Sequence, residues 1–148
     1  MRIAVVDAAA TRPLRQAVLR PTWTVDQPMH GDQYADAVHF GAYDGDRLVC
    51  TCLVLPRPYP GRPNAASAWQ LRGMATADGR RGEGIGARVL AAAIEEITRR
   101  GATLIWCEAR VTAVAFYAQH GFTVDGPEYA HAESGTPHHY MWRDLSPA

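Results

Sequence analysis

The stretch best suited to chemistry is Arg81-Gly82-Glu83-Gly84-Ile85-Gly86-Ala87, and the chemistry it suits is the holding of phosphate. Three alternating glycines lead into an apolar pattern of helical period. The first amides of a helix have no intrahelical acceptor and point outward. The helix dipole adds positive potential at the same end. Gly82, Gly84 and Gly86 carry no side chains, so phosphate oxygens could approach the backbone, and Arg80 and Arg81 bring charge beside it. The competing reading is a solvated, glycine-rich helix start that holds nothing.

Other residue types could move protons. Glu108 closes an expected strand and is the best-placed carboxylate for a general base; it could equally be a salt-bridged strand end. His138 and His139 have a suitable pKa range, but neighbours in a strand point opposite ways, so at most one faces a cleft. His131, Glu133, His138 and His139 match no metal-ligand spacing, and Gly135 and Pro137 break any helix that would align them. No metal is expected. Cys50, Cys52 and Cys107 are odd in number, with a Cys-x-Cys pair in an apolar run. They read as buried small hydrophobes in a reducing compartment, which gives a cytoplasmic expectation.

These groups need elements to position them. Arg2 to Val6 reads as a strand, followed by a helix capped by Thr11 through Leu14, Val18 and Leu19 and ended by Pro21. Val38 to Tyr43 and Leu48 to Leu55 read as a hairpin around Asp44-Gly45-Asp46. Pro56 to Ala66 reads as a loop, and Ser67 to Thr76 as a further strand. Glu83 to Arg100 is the clearest helix, with Ile85, Val89, Ala93, Ile94 and Ile97 on one face and Gly101 as its stop. Thr103 to Cys107 reads as a strand, Val111 to His120 as a short helix, Phe122 to Val124 as the start of another strand, and His139 to Arg143 as a last one.

With 148 residues, 47% of them hydrophobic, the chain suits a single domain over 1–148. Its formal charge of +0 gives nothing that attracts nucleic acid or an anionic membrane as a whole. The N-terminal apolar run is too short for a signal peptide, and no apolar stretch approaches the roughly 18 residues of a membrane span.

A dinucleotide is the rival ligand for the glycine turn. Gly82-x-Gly84-x-x-Ala87 fits the relaxed Rossmann pattern, with Glu108 near the expected acidic position. But Ala77 to Arg81 separates the turn from its strand, and only about 40 residues follow Glu108, too few for the rest of a doubly wound sheet.

Two segments narrow the choice. One is Leu71-Arg72-Gly73-Met74-Ala75-Thr76 followed by Arg81 to Gly86. The other, about 30 residues on, is Ala113-Val114-Ala115-Phe116-Tyr117-Ala118-Gln119-His120-Gly121-Phe122. Together they resemble the GNAT superfamily of acetyl-CoA-dependent N-acetyltransferases, whose strand-plus-loop motif and Ala-x-x-x-Tyr-x-x-x-Gly-Phe segment they match in order. The closing Pro137 to Arg143 is similar to the tail of a bacterial subgroup.

The resemblance implies an α/β fold of the α+β type. It has a mixed, mostly antiparallel sheet of six to seven strands flanked by about four helices and splayed after the fourth strand. It implies that Met74, Ala75 and Thr76 line the pantetheine arm. Arg81 would hold the pyrophosphate, with the amides of Gly82, Glu83, Gly84, Ile85, Gly86 and Ala87. Arg110 and Ala113 would face the cofactor from the second motif, Arg110 standing where asparagine is usual. Gln70 stands near where some members carry a glutamate base, and a neutral amide cannot take a proton.

The implied reaction is attack by a primary amine on the acetyl thioester in a ternary complex, with Tyr117 as general acid to the leaving thiolate. The implied acceptor is a small-molecule amine, or a protein N-terminus or lysine. Trp23, His30, Gln70, Arg72 and His138 are expected on the acceptor side, and the protein is expected to be a monomer or homodimer. A non-catalytic acyl-CoA-binding sensor would keep the glycine turn without needing Tyr117.

Overall fold

The structure is a computed structural model in which residues 1–22 and 34–146 are described. The elements run β1 (Arg2–Val6), α1 (Ala8–Leu19), β2 (Val38–Asp44), β3 (Arg47–Pro56), β4 (Ala68–Thr76) and α2 (Ile85–Arg99). Then come β5 (Leu104–Arg110), a 3-10 turn (Val111–Ala113), α3 (Val114–Gln119), β6 (Thr123–Ala130) and β7 (Pro137–Asp144). Seven strands form one mixed sheet in the order β1-β2-β3-β4-β5-β7-β6. β4 pairs with β5 in parallel, from Ala68↔Leu104 to Leu71↔Cys107. β1–β2, β2–β3, β5–β7 and β6–β7 are antiparallel. The expected mixed, mostly antiparallel α/β sheet is what forms. Three α-helices flank it among the described residues, where about four were expected.

Several expectations are corrected. Asp7, not Thr11, caps α1, because its Oδ1 accepts from the Ala10 N–H at 2.9 Å. Thr11 lies inside the helix, fully buried, and its hydroxyl donates to the Ala8 carbonyl at 2.8 Å. α2 starts at Ile85, two residues later than the periodicity suggests, because Gly82 and Gly84 take positive φ and hold the chain out of the helix. The strand expected to start at Phe122 to Val124 forms as β6, which starts at Thr123 and runs on to Ala130. Trp23 and His30 lie outside the described residues.

The chain divides into two compact units, residues 1–55 with 72–97 and residues 56–71 with 98–148. In the first, α2 buries Ile85, Val89, Leu90, Ala93 and Ile97, one apolar stripe at helical spacing. β3 is buried without interruption from Val49 to Leu55, as a strand covered on both faces must be.

In the second unit, strand register sorts side chains onto two faces. Trp106, Glu108 and Arg110 of β5 pair with Trp142, Tyr140 and His138 of β7, so these six share a face. Tyr129 and Asp125 of β6 join them. Ile105, Cys107, Ala109 and Met141 take the other face, and α3 lies on that side, where Arg143 Nη1 donates to the His120 carbonyl at 3.1 Å. The proline loop is pinned to the first face. The Tyr59 ring stacks on Trp106 at 5.2 Å, its hydroxyl donates to Asp125 Oδ2 at 2.5 Å, and Trp106 Nε1 donates to the Arg57 carbonyl at 3.1 Å.

Candidate active site

The glycine turn is built locally. The Ala77 N–H donates to the Val49 carbonyl at 2.8 Å, which ends β4 beside β3, and the Arg80 N–H closes a turn onto Ala77 at 3.0 Å. Gly82 and Gly84 then adopt φ of 84° and 78°, a region that L side chains rarely enter. A Cβ at either would meet nothing within 4 Å. The Arg88 N–H returns to the Gly84 carbonyl at 3.3 Å, and the helix runs on from there. The amides of Ile85, Gly86 and Ala87 therefore belong to the first turn, which has no intrahelical acceptors. Open space, outward-facing amides and a helix dipole converge on one spot.

The two arginines beside it differ. Arg80 is tied at 2.8 Å to Asp44 Oδ2 and at 3.0 Å to Glu83 Oε2. It anchors the turn and neutralises the Glu83 carboxylate, which would otherwise repel phosphate. Arg81 has a more exposed side chain and meets the exposed Asp78 at 3.1 Å. Such an exposed pair yields easily. Of the two arginines expected to bring charge, Arg81 is the one placed to offer it.

β4 carries a backbone feature just before this turn. Gly73 has φ of 64° inside the strand and so re-aims Met74, Ala75 and Thr76. Thr76 Oγ1 sits 3.4 Å from Cys50 Sγ, and Ala75 is buried.

Tyr117 lies on α3, buried at 6% exposure between the rings of Phe116 at 5.2 Å and Phe122 at 5.3 Å. Its carbonyl accepts the His120 and Phe122 N–H groups, so Gly121-Phe122 folds back to close the helix. Arg110 precedes, and Ala113 ends, the 3-10 turn that leads into α3.

Glu108 does not close its strand, because β5 runs on to Arg110, and its carboxylate is drawn into a network on the strand face. Its Oε2 accepts the Tyr129 hydroxyl at 2.7 Å and faces His131 Nε2 at 3.3 Å. Burial, then the carboxylate it donates to, push the Tyr129 phenol far above its ordinary range. Tyr140, opposite Glu108 in the register, has its phenol raised by burial first and by the Glu108 charge second. His138 is buried on this face and donates from Nδ1 to the Thr136 carbonyl at 2.9 Å, since a carbonyl can only accept. His139 points the other way, as strand alternation requires. Gln70 is buried at 6% exposure and pairs with Trp106, on the same face as Glu108.

Sequence reasoning missed Tyr129 and His131 as partners of Glu108. Gly126 and Pro127 interrupt the regular pairing of β6, which absorbs them as a bulge, with Asp125 opposite Tyr140 and Tyr129 opposite His138. The bulge carries the strand far enough to set Tyr129 next to Glu108. Among the described residues no group of three His, Cys, Asp or Glu is arranged to hold a metal ion, and no helix is long and apolar enough to cross a membrane.

Comparison with known proteins bears on this arrangement. The family model for the acetyltransferase (GNAT) domain matches residues 35–124. The uncharacterized N-acetyltransferase YitI of Bacillus subtilis is 27% identical over 123 residues, 82% of each chain. Among solved structures, ElaA of Escherichia coli superposes with a TM-score of 0.76 at 18% identity, covering 97% of this chain and 99% of that one. An aminoglycoside 6'-N-acetyltransferase complexed with coenzyme A does so with a TM-score of 0.74 at 18% identity, covering 100% and 99%. The structural likenesses speak for the fold.

Proposed function

Since the chain belongs to the GNAT family of acetyltransferases, we propose that it moves the acetyl group of acetyl-CoA to the primary amine of a small molecule by direct attack in a ternary complex. A protein N-terminus or lysine is the larger version of the same acceptor. The observation that carries this is the turn from Gly82 to Ala87. Its positive-φ glycines leave open space in front of first-turn amides, the geometry a pyrophosphate needs.

In this reading the amides of Gly82, Glu83, Gly84, Ile85, Gly86 and Ala87, with the Arg81 guanidinium, hold the pyrophosphate. The backbone of Met74 to Thr76 hydrogen-bonds the pantetheine arm as a neighbouring strand would. Arg110 and Ala113 contribute from the 3-10 turn. The Met74 N–H stabilises the developing oxyanion. Glu108 takes a proton from the incoming amine. Tyr117 gives one to the leaving thiolate, at modest cost because a phenol near 10 and a thiol near 8.5 differ by only about 1.5 units. Gln70, Arg72 and His138, with Trp23 and His30, serve the acceptor side.

Thiol release from acetyl-CoA across a panel of amines, amino acids, polyamines and N-terminal peptides tests the reading. Acetyl-CoA binding measured in parallel separates the alternatives. Tight binding with no turnover on any acceptor would indicate a sensor rather than an enzyme, and binding of NAD in place of acetyl-CoA would return the turn to the dinucleotide reading.

A further inference from the structure

We propose that Arg15 is a positioning residue for acetyl transfer. Its buried guanidinium, lodged behind Gly73, holds the bend of β4 and so fixes the direction in which the Met74 N–H meets the acetyl carbonyl. This rests on the acetyl-transfer reading above, which gives that N–H to the developing oxyanion, and names what aims it.

The first observation is what α1 buries. Its buried residues are Thr11, Arg15 and Gln16, all polar, while Leu14, Val18 and Leu19 are half-buried. Arg15 is 2% exposed and Thr11 0%. They stand one helical turn apart, and Arg15 Nη1 donates to Thr11 Oγ1 at 3.5 Å. Taking a guanidinium out of water is costly, and an apolar side chain of similar volume would hold a helix to a sheet at least as well. Stability alone is therefore a poor account of this arginine, and what its side chain touches supplies a better one.

It touches the bend. A Cβ on Gly73 would stand 3.1 Å from Arg15 Nε, 3.8 Å from Arg15 Cδ and 3.7 Å from Leu53 Cδ2. Leu53 is fully buried in β3. The space that a side chain at this position would take is filled by the arginine and by a core leucine, and close packing leaves neither room to retreat. The glycine has φ of 64°, which an L residue rarely adopts. The pairing of β4 with β5 runs from Ala68 to Leu71, so that ladder ends before the bend and does not hold it.

Geometry carries the effect one peptide further. The peptide unit is planar, so the Met74 N–H points where the dihedrals of Gly73 send it. A left-handed residue inside a strand breaks the alternation of the ladder and turns the next N–H away from its regular direction. Oxyanion stabilisation depends on a donor already aimed at the place where charge develops. Without the prop the N–H is still present but no longer aimed. The arginine itself touches no reacting atom in this scheme.

The test needs no acceptor. Acetyl-CoA isotope-labelled at its carbonyl carbon is bound to the full chain at saturation, and difference infrared spectroscopy reads the carbonyl stretch. Hydrogen bonding by the Met74 N–H should move it to lower wavenumber than in free acetyl-CoA. Arg15→Leu, whose side chain ends one atom short of Nε, should lose about half of that shift or more. Arg15→Lys, whose chain reaches the Nε position, should keep most of it. Gly73→Ala presses on the same contact from the strand side and should lose the shift as well, and it decides the matter if Arg15→Leu does not fold. Circular dichroism checks that each variant is folded, so an arginine that merely stabilises would leave the shift of the folded variants unmoved. A full shift in Arg15→Leu or in Gly73→Ala, or a shift lost as fully in Arg15→Lys as in Arg15→Leu, overturns the proposal. So does a carbonyl stretch that does not move when the unmodified chain binds acetyl-CoA. Failure of the unmodified chain to bind acetyl-CoA at all would instead sink the acetyl-transfer reading beneath it.

Discussion

Arg15 of α1 lies against Gly73 of β4 so closely that a Cβ on the glycine would stand 3.1 Å from the arginine's Nε. Arg15 is buried at 2% exposure, and Gly73 has φ of 64°. The strand is therefore bent where a buried guanidinium leaves no room for a side chain. Met74 to Thr76, the segment proposed to meet the pantetheine arm, begins at that bend.

Gly73→Ala should destabilise the fold by about 1–2 kcal/mol from the left-handed backbone alone, with crowding against Arg15 adding to it. Thermal melting should show a drop of several degrees. Acetyl-CoA affinity should fall too, because the strand that follows is re-aimed. An unchanged melting temperature would mean that the bend is not held as described.

Arg81→Ala and Arg80→Ala should separate by their readouts. Arg81→Ala should weaken acetyl-CoA binding about tenfold, because it removes the charge-assisted hydrogen bond proposed for the pyrophosphate, while leaving the melting temperature nearly in place. Arg80→Ala releases Asp44 and Glu83 together. It should weaken binding as well, and Glu83→Gln in the same chain should partly restore the affinity. Calorimetry at two salt concentrations checks both, since the Arg81 contribution should shrink as salt rises.

Tyr117→Phe should lower turnover by about a hundredfold if its hydroxyl supplies the proton to the thiolate, with acetyl-CoA affinity barely altered. The ring packing against Phe116 and Phe122 survives in phenylalanine, so stability is a fair control. Turnover equal to that of the unmodified chain removes the role from Tyr117.

The cysteines predict an alkaline limit. Burial pushes the Cys52 and Cys107 thiols far above the ordinary 9.0, and raises Cys50 less. A thiol that ionises readily when unfolded but not when folded adds stability that is whole below pH 9.0 and lost progressively above it. Melting temperature should therefore be flat in this respect up to about pH 8.5 and fall beyond. Ellman's reagent should find the thiols unreactive in the native protein near neutrality and all reactive in denaturant. Rapid native labelling would contradict their burial.

Much of the fold was legible in sequence because its signals are short-range. β1 falls where the apolar run predicts, and the α2 stripe follows from 3.6-residue periodicity with one shift at its start. The misplaced cap of α1 has a local cause as well: Asp7 and Thr11 are both good caps, and the chain uses the earlier one. The long β6 was hidden because Gly126-Pro127 is a strong break signal that only pairing with β7 overrides.

The sequence by itself determined the glycine turn that is proposed to hold phosphate. A helix start and positive-φ glycines are properties of a few consecutive residues, so Gly82 to Ala87 could be read without knowing what surrounds them. Tertiary structure alone decided the surroundings of Glu108. Tyr129 is 21 residues away along the chain, and it meets the carboxylate only because β7 lies between β5 and β6 and the bulge in β6 sets the register. Spacing along a chain carries no record of that pairing, because the free energy that selects a register comes from whole strand faces rather than from the residues that later do chemistry.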